Sequence, residues 1–327
     1  MTADLAPVVP PAASPLVSVI VATRNRPDLL QQCLTGIAGQ TYSSLEVLVA
    51  DDGSSCATRE AYRTLCPALE GRLRWLLPEH PDSPGTGPAA ARNRGIQAAS
   101  GEYVAFCDDD DRWIRDDHLH HAVAALETSG ADFLFTDIVA SRNSEPSDHV
   151  WFPDAQSLKT GRRVTDSPAI FDVEVGIAAR VVGASVAHPD TWVVRRDVLQ
   201  RVGPFWERLW FGEDYDLLFR ILDKARAVLF RADACVDYRL PVGDSVSLSS
   251  SSLETTLQEI MAAQHVRGLC RRPEIVGQAR AREAWALRKL SRTARMNGNR
   301  PEARRLGWQA FSACPTLGAF LSCLGLR

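Results

Sequence analysis

Four consecutive aspartates, Asp108–Asp111, directly follow the short apolar segment 103–107. Each carboxylate repels the next and raises the pKa of its neighbours, so a positive charge is expected among them. A divalent cation with oxygen ligands is the natural candidate, because Mg²⁺ and Mn²⁺ usually share their coordination shell with substrate phosphates. A solvated acidic turn that binds no ligand is the alternative that this run, taken alone, leaves open.

A second acidic pair, Glu213-Asp214, begins a predicted helix whose leucines and isoleucine recur at helical spacing over 217–222. The positive end of a helix dipole favours acids there, and burial against a substrate would be a second reason for them. The ordinary pKa of an aspartate is about 4. Burial and the neighbouring Glu213 would therefore have to raise the pKa of Asp214 before it could serve as a general base.

Apolar strand patterns alternate with helical patterns over the first part of the chain. The predicted strands are 16–22, 45–50, 73–77, 103–107 and 133–136, and the predicted helices between them begin near residues 27, 58, 89 and 117. This alternation predicts an α/β fold with a mainly parallel, doubly wound, Rossmann-like sheet. Ligands of such sheets bind at the carboxyl ends of the strands. The Asp51-Asp52-Gly53 turn and the aspartate run should therefore face one crevice.

The pattern loosens after Asp137, where segment 141–168 is typical of a long surface loop. A short strand at 191–194, a helix at 196–202 and the helix that begins at Glu213 follow. The serine-rich stretch 245–252 is expected to be a hinge, and three helices are predicted beyond it, at 253–268, 273–297 and 301–313. We expect a disordered leader (1–14), a main domain (15–244, with halves 15–137 and 138–244) and a helical extension (253–327).

Composition excludes several classes of protein. The eight cysteines among 327 residues are scattered without a Cys-x-x-Cys pair, which favours reduced thiols in a cytoplasmic protein. No signal peptide is visible, and no apolar stretch reaches the roughly 18 residues of a membrane-spanning helix.

Charge is distributed unevenly. The net charge is −3, but segment 266–305 holds twelve Arg and Lys against three Glu. This basic segment is expected either to contact an anionic surface, such as the inner face of a membrane, or to be a solvated face; no nucleic-acid motif is present.

Six motifs, in order and at fitting spacing over residues 16–240, resemble the family 2 inverting glycosyltransferases, which have the GT-A fold. The motifs are the segment 17–26, Gln40-Thr41-Tyr42, and the segments 46–54, 91–95, 101–111 and 211–217. The resemblance implies a metal-dependent, inverting hexosyl- or hexosaminyltransferase. It would move a single sugar from a nucleotide-diphospho-sugar to a glycan, lipid-linked or small-molecule acceptor. UDP is the favoured nucleotide only because it is common in this family. Such a reaction belongs to glycan, cell-surface polysaccharide or glycoconjugate biosynthesis.

The resemblance also implies roles for individual residues. Asp214 matches the general base, with Glu213 beside it, and Mn²⁺ or Mg²⁺ would be held by Asp108 and Asp110. His188 and Trp210 are the acceptor-side candidates. The expected nucleotide-sugar contacts are Ala22, Thr23, Arg24, Asn25, Asp52, Arg92, Asn93, Asp108 and Asp109. Asp111 is expected to be solvated, and the better expectation for Trp192, Trp206 and Trp210 is core packing.

The sequence departs from this family's pattern in one place and leaves two alternatives open. No histidine occurs between His188 and His265, whereas many relatives have one after the helix that carries the general base. Arg239 is therefore a candidate for contacting the diphosphate instead. A non-catalytic member that only binds a glycan or partner is the first alternative. A sugar-phosphate nucleotidyltransferase is the second, and the lack of glycine between Val17 and Pro27 argues against it, because those enzymes begin with a glycine-rich phosphate loop.

Overall fold

A computed structural model describes residues 14–78, 85–142, 145–240, 252–317, 320 and 323. Most of the predicted leader (1–14) and of the predicted hinge (245–252) lies outside the described residues. The strands are β1 Val17–Thr23, β2 Leu45–Asp51, β3 Leu73–Leu76, β4 Tyr103–Phe106, β5 Arg112–Trp113, β6 Phe133–Arg142, β7 Glu145–Pro146, β8 Arg163–Thr165, β9 Ile170–Val173, β10 Val193–Arg195 and β11 Val228–Arg239. The α-helices are α1 Pro27–Ala38, α2 Cys56–Tyr62, α3 Pro88–Ala98, α4 His118–Ser129, α5 Ala155–Leu158, α6 Val175–Ala184, α7 Arg196–Val202, α8 Glu213–Lys224, α9 Ser252–Leu269, α10 Pro273–Met296 and α11 Arg300–Ala313.

The strands form one sheet in the order β3-β2-β1-β4-β10-β6-β11-β9-β8, with β5 and β7 at its side. β3, β2, β1 and β4 are parallel, as predicted, and β6 is parallel to β11. β10 is antiparallel to both β4 and β6 and therefore joins the two halves of the predicted domain into one sheet. The apolar runs of β1, β2 and β4 are almost entirely buried, as expected for strands covered on both faces.

Helices α1, α3 and α10 each begin with a proline, whose missing N–H is not needed in the first turn. Trp192 is completely buried and makes edge-to-face contacts with Phe106 and Phe133, both at 6.0 Å between ring centroids. Trp192 therefore packs in the core, as predicted.

Segment 141–168 is not the simple surface loop that its polar composition suggests. It contains β7, α5 and β8, and it buries Phe152 and Leu158 in the core. Phe152 packs edge-on against Phe135 and Phe230. Phe152 and Leu158 pack this segment onto the core, and two isolated apolar residues show no helix or strand periodicity in the sequence.

The three predicted C-terminal helices are present as α9, α10 and α11. α9 packs against α8, α10 against α6 and α9, and α11 against α10. A small apolar cluster of α10 and α11, centred on Leu287 and Leu306, joins the last two. Within the described residues, none of the helices combines the length and the hydrophobicity that crossing a bilayer requires.

Candidate active site

The carboxyl ends of β1, β2 and β4 meet at one edge of the sheet. Thr23 is paired with Asp51 in the parallel register of β1 and β2, and Ile20 is paired with Phe106 in that of β1 and β4. The residues that follow these strands therefore lie side by side. This confirms the prediction that the Asp51-Asp52 turn and the aspartate run face one crevice.

Helix α3 is held unusually close to β1. A Cβ atom at Gly95 would lie 2.3 Å from Cγ2 of Ile20, so only glycine permits this approach. The close packing carries Arg92, one turn earlier on the helix, to the end of β4. Nη2 of Arg92 donates to both carboxylate oxygens of Asp108, each at 2.7 Å, and Nη1 donates to Oε1 of Glu213 at 3.1 Å. Arg92 thus links the aspartate run to the Glu213-Asp214 pair.

A second arginine, Arg26, covers the other side of the aspartate run. Its Nη1 donates to Asp110 at 2.8 Å and to Asp109 at 3.2 Å. Asp109 also accepts a hydrogen bond from Oγ1 of Thr23 at 2.7 Å. Burial, and then the carboxylate of Asp110, raise the pKa of Asp109 to about 7. Burial and Asp108 likewise raise the pKa of Asp110.

His188 and Asp190 close the site from the segment before β10. Nδ1 of His188 lies 3.0 Å from Oδ2 of the fully buried Asp190, and Nε2 lies 3.8 Å from Oδ2 of Asp108. Oδ1 of Asp190 accepts from the backbone N–H of Asp108 at 2.7 Å. Burial alone would lower the pKa of His188, but Asp190 and then Asp108 outweigh it and raise the pKa to about 9. Without a bound cation, the imidazole therefore favours its protonated form, and a metal ion that took Nε2 as a ligand would have to displace that proton.

The expectation that Asp111 is solvated is wrong, because this side chain is only 3% exposed. Its Oδ1 accepts from the backbone N–H of Arg239 at 2.7 Å, whereas its Oδ2 is buried without a hydrogen-bond partner. Burial and the adjacent Asp190 raise the pKa of Asp111 well above its ordinary value. A proton on Asp111 would be donated to Asp190 and would satisfy both groups. The side chain of Arg239 points instead to Gln32, with Nη2 at 2.9 Å from Oε1.

Glu213 and Asp214 occupy the first turn of α8, which follows Gly212. Gly212 has a φ of +79°, a left-handed conformation that favours glycine, and this turn aims the helix N-terminus at the crevice. Burial and Asp214 raise the pKa of Glu213 against the opposing effect of Arg92. Asp214 is half-buried, and its Oδ1 accepts from the N–H of Tyr215 at 2.7 Å. Asp214 also contributes to the raised pKa of His188, because its negative charge favours the imidazolium.

Asp52, the residue expected to recognise the nucleotide base, lies at the start of α3. Its carboxylate accepts from the N–H and hydroxyl of Thr86 at 2.7 and 2.9 Å and from the N–H of Gly87 at 2.9 Å. Asn25 has a left-handed φ of +55°, and its side-chain oxygen accepts from the N–H of Ser55 at 2.8 Å. Arg24 lies beside Gly85. These residues and half-buried Ala22 therefore surround one loop at the end of β2.

Two of the predicted site residues, Asn93 and Trp210, make hydrogen bonds with groups other than the aspartates. The side-chain amide of Asn93 makes hydrogen bonds with Phe205, through its backbone N–H at 2.8 Å and its carbonyl at 2.9 Å, and with Glu207 at 2.8 Å. Trp210 is 36% exposed, and its backbone N–H is held by Gln258 at 3.2 Å. Trp210 lies in segment 203–212, and Asn93 holds this segment from α3.

The residues present fit a divalent cation. Asp108, His188 and Asp190 each offer a ligand atom, and these atoms lie within 4.8 Å of one another. Carboxylate oxygen and imidazole nitrogen together suit Mn²⁺, whereas an all-oxygen set that includes Asp110 suits Mg²⁺ as well.

Sequence reasoning missed three residues of the site: Arg26, Asp190 and Tyr62. Arg26 ends the same motif that supplied Thr23, and Asp190 is two residues from His188, so proximity in sequence was the available signal. Tyr62 gave none. Its hydroxyl lies 3.3 Å from Thr23 Oγ1 and 3.1 Å from Ser54 Oγ, and its ring stacks on Trp75.

Comparison with known proteins supports both the fold and the family. The model of the family described as Glycosyl transferase family 2 matches residues 18–203, more than half of the chain. In fold, the chain is similar to residues 1–349 of S. aureus TarS in complex with UDP-GlcNAc, with a TM-score of 0.64 and 20% identity. The match covers 95% of this chain and 79% of that one. The predicted α/β GT-A fold is therefore confirmed.

Two curated relatives match shorter parts. The chain is 30% identical over 225 residues to Glycosyltransferase AglE of Haloferax volcanii, covering 67% of this chain and 65% of the relative. It is 36% identical over 120 residues to the E. coli UDP-Glc:alpha-D-GlcNAc-diphosphoundecaprenol beta-1,3-glucosyltransferase WfgD, covering 37% of this chain and 44% of the relative. The matched region thus spans less than two thirds of either relative.

Proposed function

Since the chain belongs to glycosyltransferase family 2, we propose that it transfers a single sugar from a nucleotide-diphospho-sugar to an acceptor hydroxyl with inversion at the anomeric carbon. The observation that carries this proposal is the bridge made by Arg92. One guanidinium joins Asp108, at the expected metal and diphosphate side, to Glu213, beside the expected base. A donor bound at the aspartates would therefore have its reacting carbon close to Asp214.

The charge of the site supports an anionic donor accompanied by a cation. Three cationic side chains, Arg26, Arg92 and His188, face a larger set of carboxyl groups. The carboxyl groups are Asp108, Asp109, Asp110, Asp111, Asp190, Glu213 and Asp214. A nucleotide diphosphate is itself negative, so it would bind here only with additional positive charge. Asp108 and Asp110 would hold Mn²⁺ or Mg²⁺, with His188 and Asp190 close by, and the ion would neutralise charge on the diphosphate.

The nucleotide would lie along the loop at the ends of β1 and β2. Thr23 and Asp109 are already joined by a hydrogen bond and would face the ribose. Asp52 would accept a hydrogen bond from the base if Thr86 and Gly87 release one of its oxygens. UDP is our choice of nucleotide because the similar TarS structure contains UDP-GlcNAc and WfgD is named for UDP-Glc.

Asp214 would take the proton from the attacking hydroxyl. The new bond forms between the acceptor oxygen and the anomeric carbon, while the bond from that carbon to the diphosphate oxygen breaks. Attack from the face opposite the leaving group inverts the carbon without a covalent intermediate. Positioned general bases contribute about 10²- to 10⁴-fold to a rate.

Turnover of the donor tests the proposal. UDP release from UDP-glucose and UDP-GlcNAc should require Mn²⁺ or Mg²⁺, and Asp214→Asn should lower the rate by about 10²-fold or more while UDP still binds. NMR of the product should show an inverted anomeric centre. A folded protein that binds UDP but shows no Asp214-dependent turnover with any donor would favour the non-catalytic alternative.

The acceptor is proposed to be lipid-linked, and the basic C-terminal helices to contact an anionic membrane surface. WfgD is named for a diphosphoundecaprenol acceptor. α11 exposes Arg300 and Arg304 together with Trp308, which is 50% exposed. Arginine and tryptophan side chains suit the interface of an anionic bilayer.

Vesicle flotation tests this contact. The full chain should float with phosphatidylglycerol vesicles at low salt and not with neutral phosphatidylcholine vesicles. Arg300→Glu combined with Arg304→Glu should abolish flotation, whereas Arg74→Glu, at the exposed edge strand β3, should not. Flotation that is independent of lipid charge, or unchanged in the double variant, would contradict the proposal.

A further inference from the structure

One face of α9 contacts segment 203–212, which leads into α8, the helix that carries Asp214. Gln258, Ala262 and His265 follow one another at intervals of four and three residues, so they lie on the same side of the helix. Oε1 of Gln258 accepts from the N–H of Trp210 at 3.2 Å, and a Cβ at Gly212 would lie 3.8 Å from that of Ala262. The helical extension therefore reaches the turn immediately before Glu213 and Asp214.

His265 makes the third contact and reaches α8 itself. Its Nδ1 donates to Oδ1 of Asp216 at 2.6 Å, and Asp216 is fully buried. Oδ2 of Asp216 accepts from Nε and Nη2 of Arg220 at 2.9 and 2.7 Å. Both oxygens of this carboxylate, two residues after Asp214, are thus engaged.

Arg220 and His265 also hold segment 202–206, which precedes α8. The guanidinium of Arg220 donates to the carbonyls of Val202 at 2.7 Å and Pro204 at 2.8 Å. The imidazole of His265 stacks on Trp206, with ring centroids 4.1 Å apart and planes 14° apart. One histidine of α9 therefore connects the first turn of α8 with segment 203–212.

We propose that His265 is a positioning residue for the transfer reaction, and that α9 forms part of the acceptor-side wall of the enzyme. The argument rests on the proposed function insofar as Asp214 is the base. His265 acts through Asp216, which fixes the first turn of α8, and through Trp206, which fixes segment 203–212. A displacement of about 1 Å in a reacting group can lower a rate by about 10²-fold, so this distant contact should control turnover.

His265→Phe tests the proposal by retaining an aromatic ring on Trp206 while leaving Asp216 without this donor. We expect kcat for donor turnover to fall by about 10- to 100-fold, while the Kd for UDP with Mn²⁺ stays within about twofold of wild type. His265→Asn keeps a donor at the position of Nδ1 and should recover part of the rate. Gln264→Ala is the matched control, because Gln264 bonds to Glu283 on α10 rather than to α8, and it should leave kcat unchanged.

Hydrogen exchange measures the same coupling without activity. Backbone amides of segment 206–216 should exchange faster in His265→Phe, whereas those of β1 and α1 should not change. Gln258→Ala, which removes a single contact of the same face, should give a smaller increase and guards against a variant that fails to fold. Unchanged exchange over 206–216 in a folded His265→Phe overturns the proposal even if wild type has no turnover. If the wild type is active, two further results for His265→Phe would overturn the proposal. One is an unchanged kcat, and the other is a loss of UDP binding that parallels the loss of kcat.

Discussion

Removing Arg92 should leave two buried carboxylates without their partner. The side chain of Arg92 is 6% exposed, and those of Asp108 and Glu213 are 19% and 12% exposed. Breaking a buried ion pair by deleting one partner typically costs about 3–5 kcal/mol. Arg92→Met preserves much of the side-chain volume over the ring of Phe205, so the loss should be chiefly electrostatic. We therefore expect the free energy of unfolding to fall by about 3–5 kcal/mol at pH 8.

The loss should depend on pH and on Glu213. Without Arg92, the largest influence that opposes burial and Asp214 at Glu213 is lost, so the pKa of Glu213 in the folded state rises further above its unfolded value and the folded state binds more protons. Stability then falls as pH rises, and the penalty should be smaller at pH 5 than at pH 8. Glu213→Gln in the Arg92→Met background should recover about 1–3 kcal/mol.

Urea unfolding followed by tryptophan fluorescence measures these values. Arg63→Met is the control, since Arg63 and its partner Glu60 are 75% and 71% exposed and such a pair contributes about 0–1 kcal/mol. A loss below about 1 kcal/mol for Arg92→Met at pH 8, or a penalty that grows on acidification, would refute the electrostatic account.

Three further predictions concern other parts of the site and its supports. Burial, and then Arg231, lower the pKa of His118 to about 3, so the unfolded state binds the extra proton. The free energy of unfolding should therefore drop by roughly 1 kcal/mol per pH unit below about 6.5, and His118→Leu should remove that part of the slope in urea titrations. Arg26→Ala frees Asp109 and Asp110 and should tighten Mn²⁺ binding in the absence of nucleotide by about three- to tenfold, measured by calorimetry; weaker binding would contradict the competition. Gly95→Ala should destabilise the protein by about 1–3 kcal/mol by pushing α3 off β1, whereas Gly277→Ala, with nothing near its added Cβ, should be neutral or stabilising in the same thermal melts.

The parts of the fold that sequence predicts well are those where local pattern and tertiary environment agree. Local sequence alone indicates the structure at the β-branched run of β1, the apolar run of β2, the prolines at helix starts and the glycine before Glu213. The strands that end in aspartates share an edge because parallel topology requires it. The crevice was therefore predictable without any knowledge of side-chain contacts.

The remaining features depend on pairings between distant segments. Asp111 looks solvated in sequence because it ends a run of charges, yet the strand that carries Arg239 covers it. The motif that contains Asn93 gives no sign that its amide makes hydrogen bonds with the backbone of Phe205, more than one hundred residues away. The link from His265 to Asp216 joins two helices that are separated in sequence by β11 and the serine-rich stretch 245–252. No local signal encodes such contacts, since they arise only when the elements have packed.

The aspartate run is proposed to form a cation-dependent site for a nucleoside diphosphate, and Asp214, the proposed general base, is not needed for this binding. Calorimetric titration of UDP, with and without Mn²⁺, into wild type, Asp110→Asn and Asp214→Asn tests it most directly. The account predicts binding with Mn²⁺ that weakens by at least about tenfold, or about 1.4 kcal/mol, when Mn²⁺ is omitted or Asp110 is replaced, and that is unchanged in Asp214→Asn. UDP binding that is indifferent to both Mn²⁺ and Asp110 would contradict it.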